Sequence, residues 1–214
     1  MLKRYLASAL LTLATVICLN VGQVRADPLI FDNGPGNPTA SRSAGSSPLA
    51  RITVSVATTI TQIGVKTDLA SAGNIKFLIF NDTTSALLFQ SGAQLFADTG
   101  LDFKVSAAFA PFVLLPGVVY QIGGISDTAG QWSNWNGPHS FTQNNITSSD
   151  PNGNVVNFAT PTLDFGGAAD IVIQLYGPQG PAVPEPTTML LLGTGLAGIA
   201  AKLRRRKTVK REEE

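Results

Sequence analysis

The sequence is poor in the residue types that most reactive sites need. It holds one cysteine, Cys18, and one histidine, His139. A single cysteine excludes a disulfide framework and any cysteine cluster for iron–sulfur or zinc. A single histidine excludes a histidine-based metal centre. Charged residues make up 14% of the chain, against roughly 25% in a typical soluble protein. Glutamate is absent from residues 27–183, so any acid pair there must come from ten aspartates. No sustained 3.6-residue apolar period runs through that stretch, which argues against helices and βαβ alternation.

The charges that are present are unevenly placed. The formal total is +1. Residues 1–26 carry Lys3, Arg4 and Arg25 and no acid. Residues 27–183 carry five bases (Arg42, Arg51, Lys66, Lys76, Lys104) against ten Asp, a net of −5. The last thirteen residues carry seven bases and three Glu. A net-acidic body excludes nucleic acid as a partner, since that needs a basic footprint.

Residues 1–26 read as a signal peptide, the substrate of a signal peptidase. Lys3 and Arg4 form its positive start, residues 6–19 its apolar stretch, and Val24-Arg25-Ala26 a small-residue cleavage site. Cleavage would remove Cys18 and leave a chain without cysteine, which fits an exported protein that does without disulfides.

The C-terminal region has three parts in order. Residues 177–186 form a Gly/Pro-rich linker that ends in Val183-Pro184-Glu185-Pro186. Its prolines fix φ and disfavour helix at the residue before each. Residues 187–203 are expected to form a single transmembrane helix. The apolar run 187–201 alone would reach only about 22 Å of a roughly 30 Å hydrocarbon core. Local bilayer thinning and a snorkelling Lys202 would make up the difference. Residues 204–214 form a basic, then acidic, cytoplasmic tail that opens with Arg204, Arg205 and Arg206.

This combination of tetrapeptide, short apolar helix and arginine cluster resembles the PEP-CTERM sorting signal over residues 182–207. The resemblance implies a Gram-negative-type bacterial source and sorting by an exosortase, a membrane cysteine protease-transpeptidase. It also implies a link to exopolysaccharide or biofilm. Val183, Pro184, Glu185, Pro186 and Arg204–Arg206 would be recognised as substrate and do no catalysis. One departure is the continuation past the basic cluster from Thr208 to Glu214, where such signals usually stop sooner. The alternative reading is a plain single-pass anchor on a protein facing the periplasm.

The body between these ends reads as all-β: an antiparallel β-sandwich of jelly-roll-like type over residues 51–176. Short apolar, β-branched segments alternate with Gly, Pro, Asn and Asp turns at residues 51–57, 60–66, 74–80, 86–90, 101–109, 118–124, 154–158 and 170–176. Residues 27–50 (with DNGPGNPTASRSAGSSP at 32–48) read as a Gly/Pro/Ser-rich arm. The order ITQIGV, IKFLIF, LLFQSG, LLPGVVYQIGG across residues 50–126 resembles small carbohydrate-binding-module-like sandwiches.

Candidate chemistry is sparse. Asp98 and Asp102 are the nearest approach to a glycosidase pair, but solvated turn residues are the better reading. His139 lacks a G-x-S-x-G elbow, which removes the usual frame for a serine hydrolase. Asp150, Asn152 and Asn154 place oxygens at alternate positions. The EF-hand glutamate would fall at Pro161, so a plain turn comes first and a loop Ca²⁺ site second. Residues 131–142 hold Trp132, Trp135, Asn134, Asn136 and His139, a candidate glycan platform of rings and amides. The competing reading puts one or both indoles in the core. No cofactor is expected and no enzyme activity. The expected role is structural or adhesive, in an exported, inner-membrane-tethered protein whose body faces the periplasm and then reaches the surface or matrix.

Overall fold

The computed structural model describes residues 27–36, 39–135, 139–150, 152–167, 170–178 and Gly195, which is helical. The chain forms two compact units, Met1–Pro178 and Gln179–Glu214. The expected signal peptide, the Val183–Pro186 tetrapeptide and Arg204–Arg206 lie outside the described residues, as does the expected membrane helix apart from Gly195. Among the described residues no helix is long and apolar enough to cross a membrane.

The described residues of the first unit are all-β and their strand pairs are antiparallel. In chain order the strands are β1 (Leu29–Asp32), β2 (Thr39–Arg42), β3 (Ser46–Val54), β4 (Thr58–Ile60), β5 (Gln62–Leu69) and β6 (Gly73–Asn81). Then come β7 (Leu87–Gln90), β8 (Gln94–Phe96), β9 (Asp102–Val105), β10 (Phe112–Leu114), β11 (Tyr120–Ser126) and β12 (Gly130–Ser133). The last five are β13 (Ser140–Gln143), β14 (Ile146–Ser149), β15 (Asn152–Val156), β16 (Thr162–Gly167) and β17 (Ile173–Tyr176). Every segment expected to be a strand overlaps one.

One sheet runs β1-β17-β5-β12-β2, with β9 on the far edge of β5. The other runs β13-β14-β3-β11-β6-β7, with β8 also on β6 and the β15–β16 hairpin on β3. A short ribbon of β4 and β10 sends Ile60 and Leu114 into the core.

The period-2 pattern of each strand sets the core. Ile63, Val65, Ile173 and Leu175 from the first sheet meet Ile52, Val54, Ile75, Phe77, Ile79 and Ile122 from the second in one buried cluster. The two sheets are therefore layers of a sandwich. Each such aliphatic contributes about 1.5–3 kcal/mol by leaving water.

Strand β6 is apolar on both faces, and the fold explains why. Leu78 and Phe80 point away from the main core into a second buried cluster with Leu49, Ile125 and Val155. The β15–β16 hairpin covers it, with Phe158 and Leu163 packed against it. Lys76 pins the hairpin: its Nζ donates to Phe158 O at 2.8 Å and lies 4.6 Å from that ring's centre. Gln121, buried beneath the hairpin, donates to Asp82 and accepts from Gly153 N.

The expected arm at 27–50 is part of the sandwich. It contains β1, β2 and the first residues of β3. Phe31 enters the core and Ser47 is fully buried. Composition pointed to a loop because β-pairing uses main-chain groups that Ser, Thr and Ala carry as well as Val does. Glycines with positive φ, at Gly34, Gly36 and Gly45, turn the chain between these pieces.

Candidate functional site

The residues singled out in 131–142 gather where the two layers meet at one edge. Strands β12 and β17 lie end to end along one side of β5: β12 faces Thr67 to Leu69, and β17 faces Gln62 to Val65. At the join, Asn134 bridges Ile171, and Val172 N donates to Ser133 O at 2.9 Å.

Trp132 sits on β12 with its side chain in the main core, 1% exposed. Its faces are taken by protein and are closed to a ligand in this structure. Asn134 is also buried, with its Oδ1 unpartnered among the described residues. Asn136 lies outside the described residues.

Trp135 is half-buried, and its ring stacks on His139 at 4.3 Å with 4° between planes. His139 is in turn near-parallel to Phe141 at 6.4 Å, and Phe141 tilts against Phe31 at 5.9 Å. The four rings make a ladder from the surface to the core. Gly34 lies against the other end of the indole: a Cβ there would come within 3.2 Å of Trp135 Cζ2. Trp135 thus spends much of its ring on its own chain.

His139 ties the layers together. Its backbone N donates to Asp150 Oδ2 at 2.7 Å, and Asp150 N donates to its carbonyl at 3.2 Å. Its Nδ1 lies 3.1 Å from Asp170 Oδ2. Asp170 is fully buried. Burial pushes its carboxyl above the ordinary value of 3.8, the hydrogen bond from His139 pulls back most strongly, and the neighbouring Asp150 charge pushes the same way as burial. Ser148 Oγ stands close enough to help hold the carboxylate, though not in good hydrogen-bond geometry.

Asn33 completes the junction. Its Nδ2 donates to Ile171 O at 2.7 Å, and its Oδ1 accepts from Ile173 N at 2.8 Å. The side-chain amide imitates one more strand residue beside β17. Next to it, Gly36 has φ +54, and a Cβ there would lie 2.0 Å from Val172 Cγ2. Only glycine fits.

The chemistry this arrangement offers is limited. The Asp170–His139 pair orients an imidazole as hydrolases do, but among the described residues no hydroxyl is bonded to that ring. Asp98 and Asp102 each accept a local backbone N–H, from Gly100 and Phe103, as turn residues do. Among the described residues no three His, Cys, Asp or Glu side chains group to hold a metal. Of the weaker calcium candidates, Asp150 is engaged with His139, Asn154 lies on strand β15, and the Asn152 side chain lies outside the described residues.

Sequence reasoning missed Asp170, Asn33 and Phe141. Asp170 had one signal, an isolated acid at the head of an apolar run. Asn33 had none.

Comparison with known proteins adds one finding. Residues 182–206 match the PEP-CTERM protein-sorting motif. The motif marks an exported, membrane-anchored protein that an exosortase sorts. No curated protein matches the chain.

Proposed function

We propose that the chain is a non-enzymatic display protein. Its β-sandwich is carried across the inner membrane, held there facing the periplasm, and passed by the exosortase to the cell surface or matrix. Its role there is structural or adhesive, within an extracellular polysaccharide. The observation that carries this reading is the sorting motif at 182–206, which starts four positions after the body's last described residue, Pro178, allowing for a short linker.

The site geometry supports the same reading. The only imidazole is bound into a layer-bridging pair, one tryptophan is core, and the other is stacked on its own chain. Two buried clusters, with no cysteine in the body, give a domain held without disulfides.

The test is fractionation and intact mass in hosts with and without an exosortase. The expected result is a C-terminal mass loss and outward movement only when the enzyme is present. Replacing Pro184, Glu185 and Pro186 with Ala should abolish both and leave the melting temperature of the body unchanged. Retention of the full C-terminal segment in both hosts would make it a plain anchor and remove the link to the matrix.

A further inference from the structure

We propose that the end of the sandwich where the chain leaves β17 is a lipid-facing surface, which rests on the bilayer while the anchor is in place. The proposal builds on the anchoring reading above and adds the orientation of the body.

The two limits of the described body meet at this end. Gly177 N donates to Pro28 O at 3.0 Å, and Thr61 N donates to Tyr176 O at 2.8 Å. Around them an open groove of about 360 Å³ is lined by Ile30, Val56, Ala57, Thr59 and Asn145, among others, none of them ionisable. Four large apolar side chains on segments of this end are exposed: Leu29 46%, Val56 51%, Val113 46% and Leu115 50%. A lone exposed aliphatic means little, but a group of them marks a contact surface.

The other end differs. Strand β5 runs from Gln62, opposite Tyr176, to Leu69, opposite Gly130. The groove beside Leu69 and Gly130 is lined by Arg42, Asp68 and Asp98. The groove at one end thus lacks ionisable groups and the groove at the other is lined by them, which makes one the apolar and the other the charged end; exposed Leu95 and Leu101 lie toward the charged end as well. Two acids lie near the apolar end. Asp27 precedes Pro28, and Asp82 is held by Gln121 at 2.7 Å and lies 3.6 Å from Arg51.

Chain length names the occupant. Eight residues lie between Pro178 and Thr187, where the apolar run starts. Fully extended they span roughly 30 Å. A body on so short a tether meets the bilayer at a high effective concentration. The end that carries the tether is the end that meets it.

The test uses the full chain with Cys18→Ser, which makes an introduced cysteine the sole thiol. Single cysteines at Val56, Val113 and Leu115, and at exposed Ser71 near the charged end, each receive an environment-sensitive fluorophore. The chain is reconstituted in phosphatidylcholine–phosphatidylglycerol vesicles with and without brominated lipid. The expected result is a blue shift and at least twofold quenching by brominated lipid at the first three sites, with none at Ser71. Water-like emission at all four sites, from protein that floats with the vesicles, overturns the proposal and leaves anchoring intact. Protein that does not float with the vesicles overturns both.

Discussion

At the residue scale, the junction of β12 and β17 concentrates the positions that tolerate least. Gly36 has a left-handed φ and no space for a methyl group. Gly36→Ala should cost on the order of 3 kcal/mol, from overpacking and from the conformation itself, read as a lowered urea midpoint. Asp170 gives a pH signature. Its carboxyl is raised above 3.8 in the folded chain, first by burial, and returns to that value on unfolding. The folded state then holds the proton more tightly, so the contribution to stability is full below about pH 4 and drains away as pH rises through the raised value. Asp170→Asn cannot ionise. Relative to the wild type it should gain stability from pH 4 toward neutrality; a difference that stays flat over that range would mean the carboxyl pays no burial cost. The sequence showed Trp135 and His139 as neighbours because they are four positions apart. It could not show that Asn33 would complete the edge of β17, 140 positions away, because an amide that substitutes for main chain leaves no pattern.

At the scale of elements, β6 and its hairpin cover are the informative pair. NIKFLIF carried apolar side chains on both faces in the sequence, a pattern that reads as a strand buried on both sides. What buried the second face was not legible there, because β16 is a short segment bounded by Pro161 and glycines. Leu78→Ala tests the cover. Beneath an intact hairpin it should cost about 2–5 kcal/mol, whereas Leu88→Ala, at an exposed site, should stay within about 0.5 kcal/mol. Equal effects in urea denaturation would mean that the outer face of β6 is open to water. Three of the missed strands share a cause: TASR, SFTQ and ITSS are polar, and their place in a sheet is set by neighbours rather than by their own side chains.

At the scale of the molecule, nearly everything that holds the layers together joins distant parts of the chain. Asp32 and Gln143 are bonded between the layers across 111 positions, and within the first sheet Gln174 and Asp32 are bonded across 142. Such a topology closes late and folds slowly. It should also be all-or-none: a chain cut after Asp170, lacking β17, should show no cooperative melting transition. The cause is the place of β17, the last described strand in sequence yet an interior one, flanked by β1 and β5. That position sets a clock for biogenesis. Until Tyr176 is free to pair, the first sheet keeps a slot between β1 and β5, so the sandwich is complete only once its last described strand is available.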